Sequence, residues 1–324
     1  MLFEASSVDQ SGLVNQSCIG ANTHIAKGEV TASFVGPFVG MHHQSLLIGT
    51  LWPEGRGNIG YGANVGSNHT GRAPDQEFWA AEGEFFGLSA SIKFPAMHRD
   101  AAYSLVASGI MMPIGKIEFP FSLICDSLSE SKQACAIELV PAWMLLENRY
   151  SLIRSTWKFR HRNHAKHYEL KRHYLNSTTI QMVLSALLKL EALPEKNFYS
   201  LCELNGPKGI SFSYESCKKA MVGYREAIEL FLLGTKYQLP EFEQFKVDDH
   251  WMVLLQKARL PNLNEVEGRI RLRALKRHEY ELAFKSKEKD RVRGRKITPE
   301  YDLYHLESEM DACLLELKAG IDQI

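Results

Sequence analysis

Cut in sixes from Met1, the chain opens MLFEAS, SVDQSG, LVNQSC, IGANTH, IAKGEV. The first position holds Met1, Ser7, Leu13, Ile19 and Ile25, and the fifth holds Ala5, Ser11, Ser17 and Thr23 before Glu29 breaks the column. A hexad explains both columns. In a triangular β-solenoid each face is one short strand and three hexads close a coil. The aliphatic residue fills the prism and the small residue lets the chain turn a tight corner. The pattern therefore predicts a left-handed parallel β-helix over residues 1–124, a known exception to right-handed crossover. The beat returns at Ile59-Gly60-Tyr61-Gly62-Ala63-Asn64, at Val65-Gly66-Ser67-Asn68-His69-Thr70, and from Phe86 to Ile92. Between Thr31 and Ile48 it fits poorly, because Val35, Met41 and Leu47 occupy the fifth position, and the register there stays open. Thr50 to Asn58 and Gly71 to Gly83 are too polar and too rich in Gly and Pro for strands. They read as loops ejected from the scaffold, where function usually sits.

After Pro120 the spacing becomes helical, so residues 125–324 are read as an all-α domain. Asn176-Ser177 precedes Ile180, Val183, Leu184, Leu187, Leu188 and Leu190, a capped amphipathic helix. Ser213 to Tyr237 carries Met221, Tyr224, Ile228, Phe231 and Leu232 on one face. Val266 to Lys289 is helical and strongly charged. A last helix opens near Thr298-Pro299-Glu300, with Pro at its first position, and runs through Leu303, Leu306, Met310, Leu314 and Leu317. Met1 enters the beat with no cap ahead of it. An open coil exposes strand edges, so the solenoid is expected to continue in a longer protein or to pair with another chain.

The block Gly36 to Pro95, with KIEFPFSLI at Lys116 to Ile124, resembles an uncharacterised bacterial family of left-handed β-helix proteins with a helical C-terminal extension, a domain of unknown function. That resemblance implies the fold and a further stretch of β-helix before this point, and it implies no activity. More weakly, IGYGANVGSN followed by EFFGLSASI is similar to hexapeptide-repeat sugar-nucleotide acetyltransferases. There, two Ile-Gly hexads precede an ejected loop beside the acyl-CoA and acceptor sites. The loop here differs, so only its position carries over.

Composition narrows the setting. Of 324 residues, 45% are apolar and 23% charged, and 38 Lys plus Arg balance 38 Asp plus Glu, which gives no reason to expect a polyanionic partner. No apolar run is long enough to span a membrane and no secretory leader is visible. Six scattered cysteines without a CxxC argue against a zinc ribbon or a disulfide framework, and a reducing, cytoplasmic location is expected.

The candidate chemistry follows from the second resemblance. Hexapeptide acyltransferases use one histidine as general base, suited by a pKa near working pH, while a backbone amide polarises the thioester carbonyl. His42, His43 and His69 are the candidates, His69 because it stands where the hexad wants a small residue. Asn64 and Asn68 could contact substrate, but Asn58, Asn64 and Asn68 suit a structural solenoid ladder better. Arg56, Arg72, Asp75 and Glu77 lie in the two loops and could take a phosphate or an amine, or keep the loops soluble. Trp52, Phe78 and Trp79 are apolar residues in polar loops; they dock on a neighbouring coil, or a ring stacks on a sugar. Arg154 to His173 holds seven Lys/Arg, four His and one acid. It could contact phosphate or RNA, and His161, His164 and His167 could bind a metal, yet a solvated helix face is the commoner explanation. Neither nucleic acid nor a resident metal is expected. Two functions stay open. One is a transferase acting as a homotrimer, with acyl-CoA as co-substrate and a sugar or nucleotide-sugar as acceptor. The other is a non-catalytic scaffold or assembly module.

Overall fold

The structure is a computed structural model that describes residues 1–67, 77–93, 95–127, 135–168, 173–242, 256, 259–261, 263–294 and 300–324. The chain divides into two compact units. One comprises Met1–Ala142, Asn163–Glu169 and Lys189–Ala220, and the other Trp143–Arg162, Leu170–Leu188 and Met221–Ile324.

The first unit is a parallel β-solenoid. Its strands of two to four residues fall in three sheets, and each strand pairs with the strand one coil above it, three strands later in sequence. Alternation along each strand sends one residue inward, because successive Cβ atoms point to opposite faces. The inward column runs Ile19, Ile25, Val30, Val35, Met41, Leu47, Trp52, Ile59 and Val65, each at most 2% exposed. Its step is not constant: six residues from Ile19 to Ile25, then five to Val30 and five to Val35, then six to Met41. That irregularity fixes the register of 31–48, since Val35, Met41 and Leu47 are interior residues and not corner residues. It also corrects the opening column. Leu2, Val8 and Val14 pair with Ile19, Ile25 and Val30, so Met1, Ser7 and Leu13 point outward and Leu13 is 52% exposed.

The proposed loops are partly strand. Thr50–Trp52 and Phe78–Trp79 belong to one six-stranded sheet, paired through Thr50 with Phe78 and Leu51 with Trp79. Trp52 and Phe78 are completely buried and pack edge-on against Phe86, at 5.6 and 5.7 Å between centroids. Trp52 also donates from Nε1 to Ala81 O at 2.6 Å. Two bulky rings thus replace aliphatic residues in the prism, and the surrounding glycines give them room. A Cβ on Gly57 would lie 2.1 Å from the Trp52 ring.

The corners use left-handed backbone. Ala5, Asn22, Phe38, Arg56, Tyr103 and Phe121 have φ between 55 and 59°. From Asn22 onward their N–H groups bond carbonyls one coil below, as in Phe38 to Ala21, Arg56 to Pro37 and Phe121 to Ala102. Each non-glycine residue in this region costs about 1–2 kcal/mol, offset by a ladder hydrogen bond at every coil. A hydroxyl ladder supports another corner. Ser33 N donates to Ser17 Oγ at 3.0 Å and Thr50 N to Ser33 Oγ at 3.1 Å. Small hydroxyl residues recur there because buried backbone needs partners.

Beyond residue 124, in the region read as all-helical, the solenoid sheet continues. Leu123–Asp126 pairs antiparallel with Ile137–Val140, which is followed by Ile210–Ser213 and Phe198–Ser200. Among the described residues the α-helices are α1 (Trp143–Leu146), α2 (Arg149–His161), α3 (Ser177–Glu191), α4 (Tyr214–Lys236), α5 (Glu265–Gly294) and α6 (Glu300–Asp322). Asn176 caps α3, its Oδ1 accepting from Thr178 N at 3.0 Å and Thr179 N at 3.1 Å. Within the second unit α2, α5 and α6 enclose a core of Tyr150, Ala283, Met310, Cys313, Leu314 and Leu317.

Candidate functional site

The outer face of the ten-stranded sheet gathers imidazoles. Strand register stacks Ser7, His24, Gly40, Asn58 and Phe85 in one outward column, and Asp9, Ala26 and His42 in the next. His24 Nε2 lies 2.8 Å from Asp9 Oδ2, with the two side chains 43% and 54% exposed. The His42 ring sits edge-on to His24 at 4.6 Å and 6.0 Å from the His43 ring. Gly40 keeps the middle of this face open. A Cβ there would meet Asn58 Oδ1 at 2.8 Å and His42 Nε2 at 3.8 Å, so the Asn58 amide and the His42 imidazole share that gap. His43 is exposed at a corner with φ +66°, its N–H donating to Ala26 O at 3.1 Å. A carboxylate on one imidazole nitrogen fixes the tautomer and leaves the other nitrogen free to take a proton.

The other sequence candidates are dispersed. His69, Asn68, Arg72 and Asp75 lie outside the described residues. Asn64 stands on a six-stranded sheet between Leu46 and Ser91, not on the sheet that carries Asn58. Its buried Oδ1 has no hydrogen-bond partner among the described residues. Trp52 is inside the prism and presents no face to solvent. Glu77 is exposed and accepts from Trp79 Nε1 at 2.5 Å. Arg56 is only 6% exposed. It donates to Glu82 Oε1 at 2.5 Å, which also accepts from the Tyr103 hydroxyl at 2.7 Å. Burial opposes the Arg56 charge, but Tyr103 and Glu82 beside it hold its pKa above the ordinary value. The Tyr103 hydroxyl is pushed well above its ordinary value by burial and by Glu82. Arg56 thus acts as a structural cation.

Much of the basic stretch 154–173 is tied into the fold where described. Arg154 pairs with Glu309 at 2.8 Å, and Arg162 pairs with the same carboxylate. Residues 163–168 lie along a solenoid corner. Asn22 Nδ2 donates to Asn163 Oδ1 at 2.7 Å, Glu4 accepts from Lys166 N at 2.7 Å and His167 N at 2.9 Å, and Tyr168 packs on Phe38 at 5.9 Å.

Sequence reasoning passed over His24 and Asp9, since neither breaks the hexad. The signal was present: His24 and His42 both occupy outward positions beside an inward residue, Ile25 and Met41, that lie in adjacent coils. Another pair, this one buried, was also missed. His98 Nδ1 lies 2.5 Å from Glu84 Oε1, both side chains at most 1% exposed, and Ala81 N donates to Glu84 Oε2 at 3.1 Å.

No family model matches the chain. An uncharacterized protein of Treponema pallidum (strain Nichols) is 30% identical over 138 residues, which is 43% of this chain and 18% of the relative. The chain therefore spans under a fifth of that relative's length. Among solved structures, WeeI from Acinetobacter baumannii AYE matches 36% of this chain and 54% of its own, at 14% identity and a TM-score of 0.28. A likeness at that level carries no functional argument. Among the described residues, no helix is long and apolar enough to cross a membrane.

Proposed function

We propose that the solenoid is a transferase that moves an acyl group from acyl-CoA to a sugar or nucleotide-sugar, with its base on the histidine face. The observation that carries this reading is the Asp9–His24 pair at 2.8 Å with His42 4.6 Å beyond it. His24, held through Nε2 by the carboxylate, takes the proton of an acceptor hydroxyl or amine at Nδ1. The acceptor heteroatom attacks the thioester carbonyl, and the tetrahedral intermediate expels the thiolate, which recovers the proton from the imidazolium. His42 and His43 are the alternative bases, and Asn58 a donor to substrate. His69 stays a candidate base, and Asn64, Asn68, Arg72, Asp75 and Glu77 stay candidates for substrate contact. Closure over this open face falls to a second solenoid in a homotrimer.

The second reading is a non-catalytic scaffold, favoured by the openness of the face and by the internal pairing of Arg56, Glu82, Glu84 and His98. Thiol release from acetyl-CoA with a panel of UDP-sugars separates the two. On the first reading turnover falls at least a hundredfold in His24→Ala, and Asp9→Asn lowers kcat with little change in KM. No thiol release by the wild type, with no thermal stabilisation by any donor, selects the scaffold.

A further inference from the structure

The helical unit carries a half-open cavity of about 110 Å³ lined by Ile153, Trp157, Arg160, His173, Lys276 and Leu317, together with Glu241, Glu279, Glu316 and Gly320. At roughly 30 Å³ per water the space is that of a few waters, or of a carboxylic acid with two or three carbons. Its charged groups are unevenly satisfied. Glu279, 2% exposed, accepts from Arg149 and Tyr174 on Oε1 and from Lys276 on Oε2 at 2.9 Å. Lys276 spends a second N–H on Glu241 Oε1 at 3.1 Å, leaving the third without a protein acceptor among the described residues. His173 is 7% exposed and its Nδ1 accepts from Leu175 N at 3.2 Å. The ring proton must then sit on Nε2, which has no protein acceptor among the described residues. Arg160 makes no hydrogen bond or ion pair among them either.

Three donors with unused N–H groups therefore face one cavity whose deepest carboxylate is already saturated. We infer that this cavity is a binding site for a small organic monocarboxylate, its oxygens bonded by His173 Nε2–H, Lys276 Nζ and Arg160, its carbon chain against Ile153, Trp157 and Leu317. The His173 Nε2–H and the third Lys276 N–H open into the cavity without a protein acceptor, and a carboxylate oxygen accepts from them there in place of water. Glu241 and Glu316 on the same wall disfavour a dianion, which selects a carboxylate over phosphate. The site lies wholly in the helical unit and is independent of the solenoid's activity.

Calorimetric titration of the full chain with sodium propionate, against sodium chloride at matched ionic strength, tests this. Saturable binding to the wild type is expected, weakened at least tenfold in Arg160→Gln, which alters a solvent-exposed side chain. Gly320→Met is the stronger variant. A Cβ at Gly320, on the cavity wall, meets only Glu241 Oε1, at 4.0 Å, so a side chain can start there without a backbone clash. This variant should keep the wild-type Tm and lose binding. Absence of saturable heat in the wild type, unchanged affinity in folded Gly320→Met, or tighter binding of phosphate than of propionate would each overturn the assignment.

Discussion

Acid should loosen the helical unit chiefly through His173. Burial pushes its pKa down from 6.5 to about 4, helped by Lys276 and Arg160 and opposed by Glu279 and Glu241. A folded-state pKa below the unfolded one means that the unfolded chain binds the proton first. Stability is then full above pH 6.5 and is lost as pH falls toward 4. Treating His173 as a single site with these two values, the loss between pH 7.5 and pH 4.5 is about 2.5 kcal/mol. Glu279 has its own depressed pKa, about 2 against 4.5, because Lys276 and Arg149 outweigh the burial that opposes ionisation. Its contribution is lost as pH falls from about 4.5 toward 2, so down to pH 4.5 it changes by only about 0.4 kcal/mol and the histidine dominates the chosen window. Urea denaturation followed by helical ellipticity, at both pH values, gives the slope. His173→Asn retains an acceptor for Leu175 N–H and removes the titration, so its loss across the window should be smaller than the wild type's by about 2.5 kcal/mol. Equal losses in the two proteins would refute the argument.

Trp52→Ala should destabilise the solenoid by about 3–5 kcal/mol in denaturant titration, since it empties the prism and abandons the Ala81 carbonyl. Gly36→Ala should cost more than about 2 kcal/mol, because its Cβ would fall 2.3 Å from Pro53 O and 2.6 Å from Trp52 O, backbone that cannot step aside; hydrogen exchange across residues 36–58 would show the opening. Tyr103→Phe removes one donor from Glu82 beside Arg56 and should cost about 1–3 kcal/mol, read from the same denaturant titration.

The hydrophobic beat made the solenoid legible because interior residues must recur at every face, whatever else varies. It did not make the phase legible. A hexad template tolerates no five-residue step, whereas this chain takes such steps between Ile25, Val30 and Val35. Once the count slips, aliphatic residues such as Leu13 pass for interior. Aromatic interior residues failed the template in another way. Trp52 and Phe78 sit among Pro, Gly and charged neighbours, and the local composition outweighed two residues whose burial depends on coils above and below.

The same slip governs what could be seen of the histidine face. Asp9, His24 and His42 are separated by fifteen and eighteen residues, and no local motif joins them. They meet because strand pairing sets Asp9 beside Ala26 and Ala26 beside His42, and His24 beside Gly40. A sequence search that counts in sixes places His24 at the end of its hexad, next to a corner, and His42 at the end of another in a stretch of unknown register. Counting instead from the inward residue makes both histidines outward neighbours of Ile25 and Met41, one just before and one just after. The pairing then follows from geometry, since adjacent coils lie about 4.8 Å apart, close to the 4.6 Å between these rings. Clusters on a solenoid are therefore properties of phase as well as of residue type, and His43 attracted notice mainly because it adjoins His42. The interior pairs obey the same rule. Arg56 reads as a loop cation in sequence, yet the coil above brings Glu82 onto it and the next brings Tyr103, which turns a solvent-seeking residue into part of the wall.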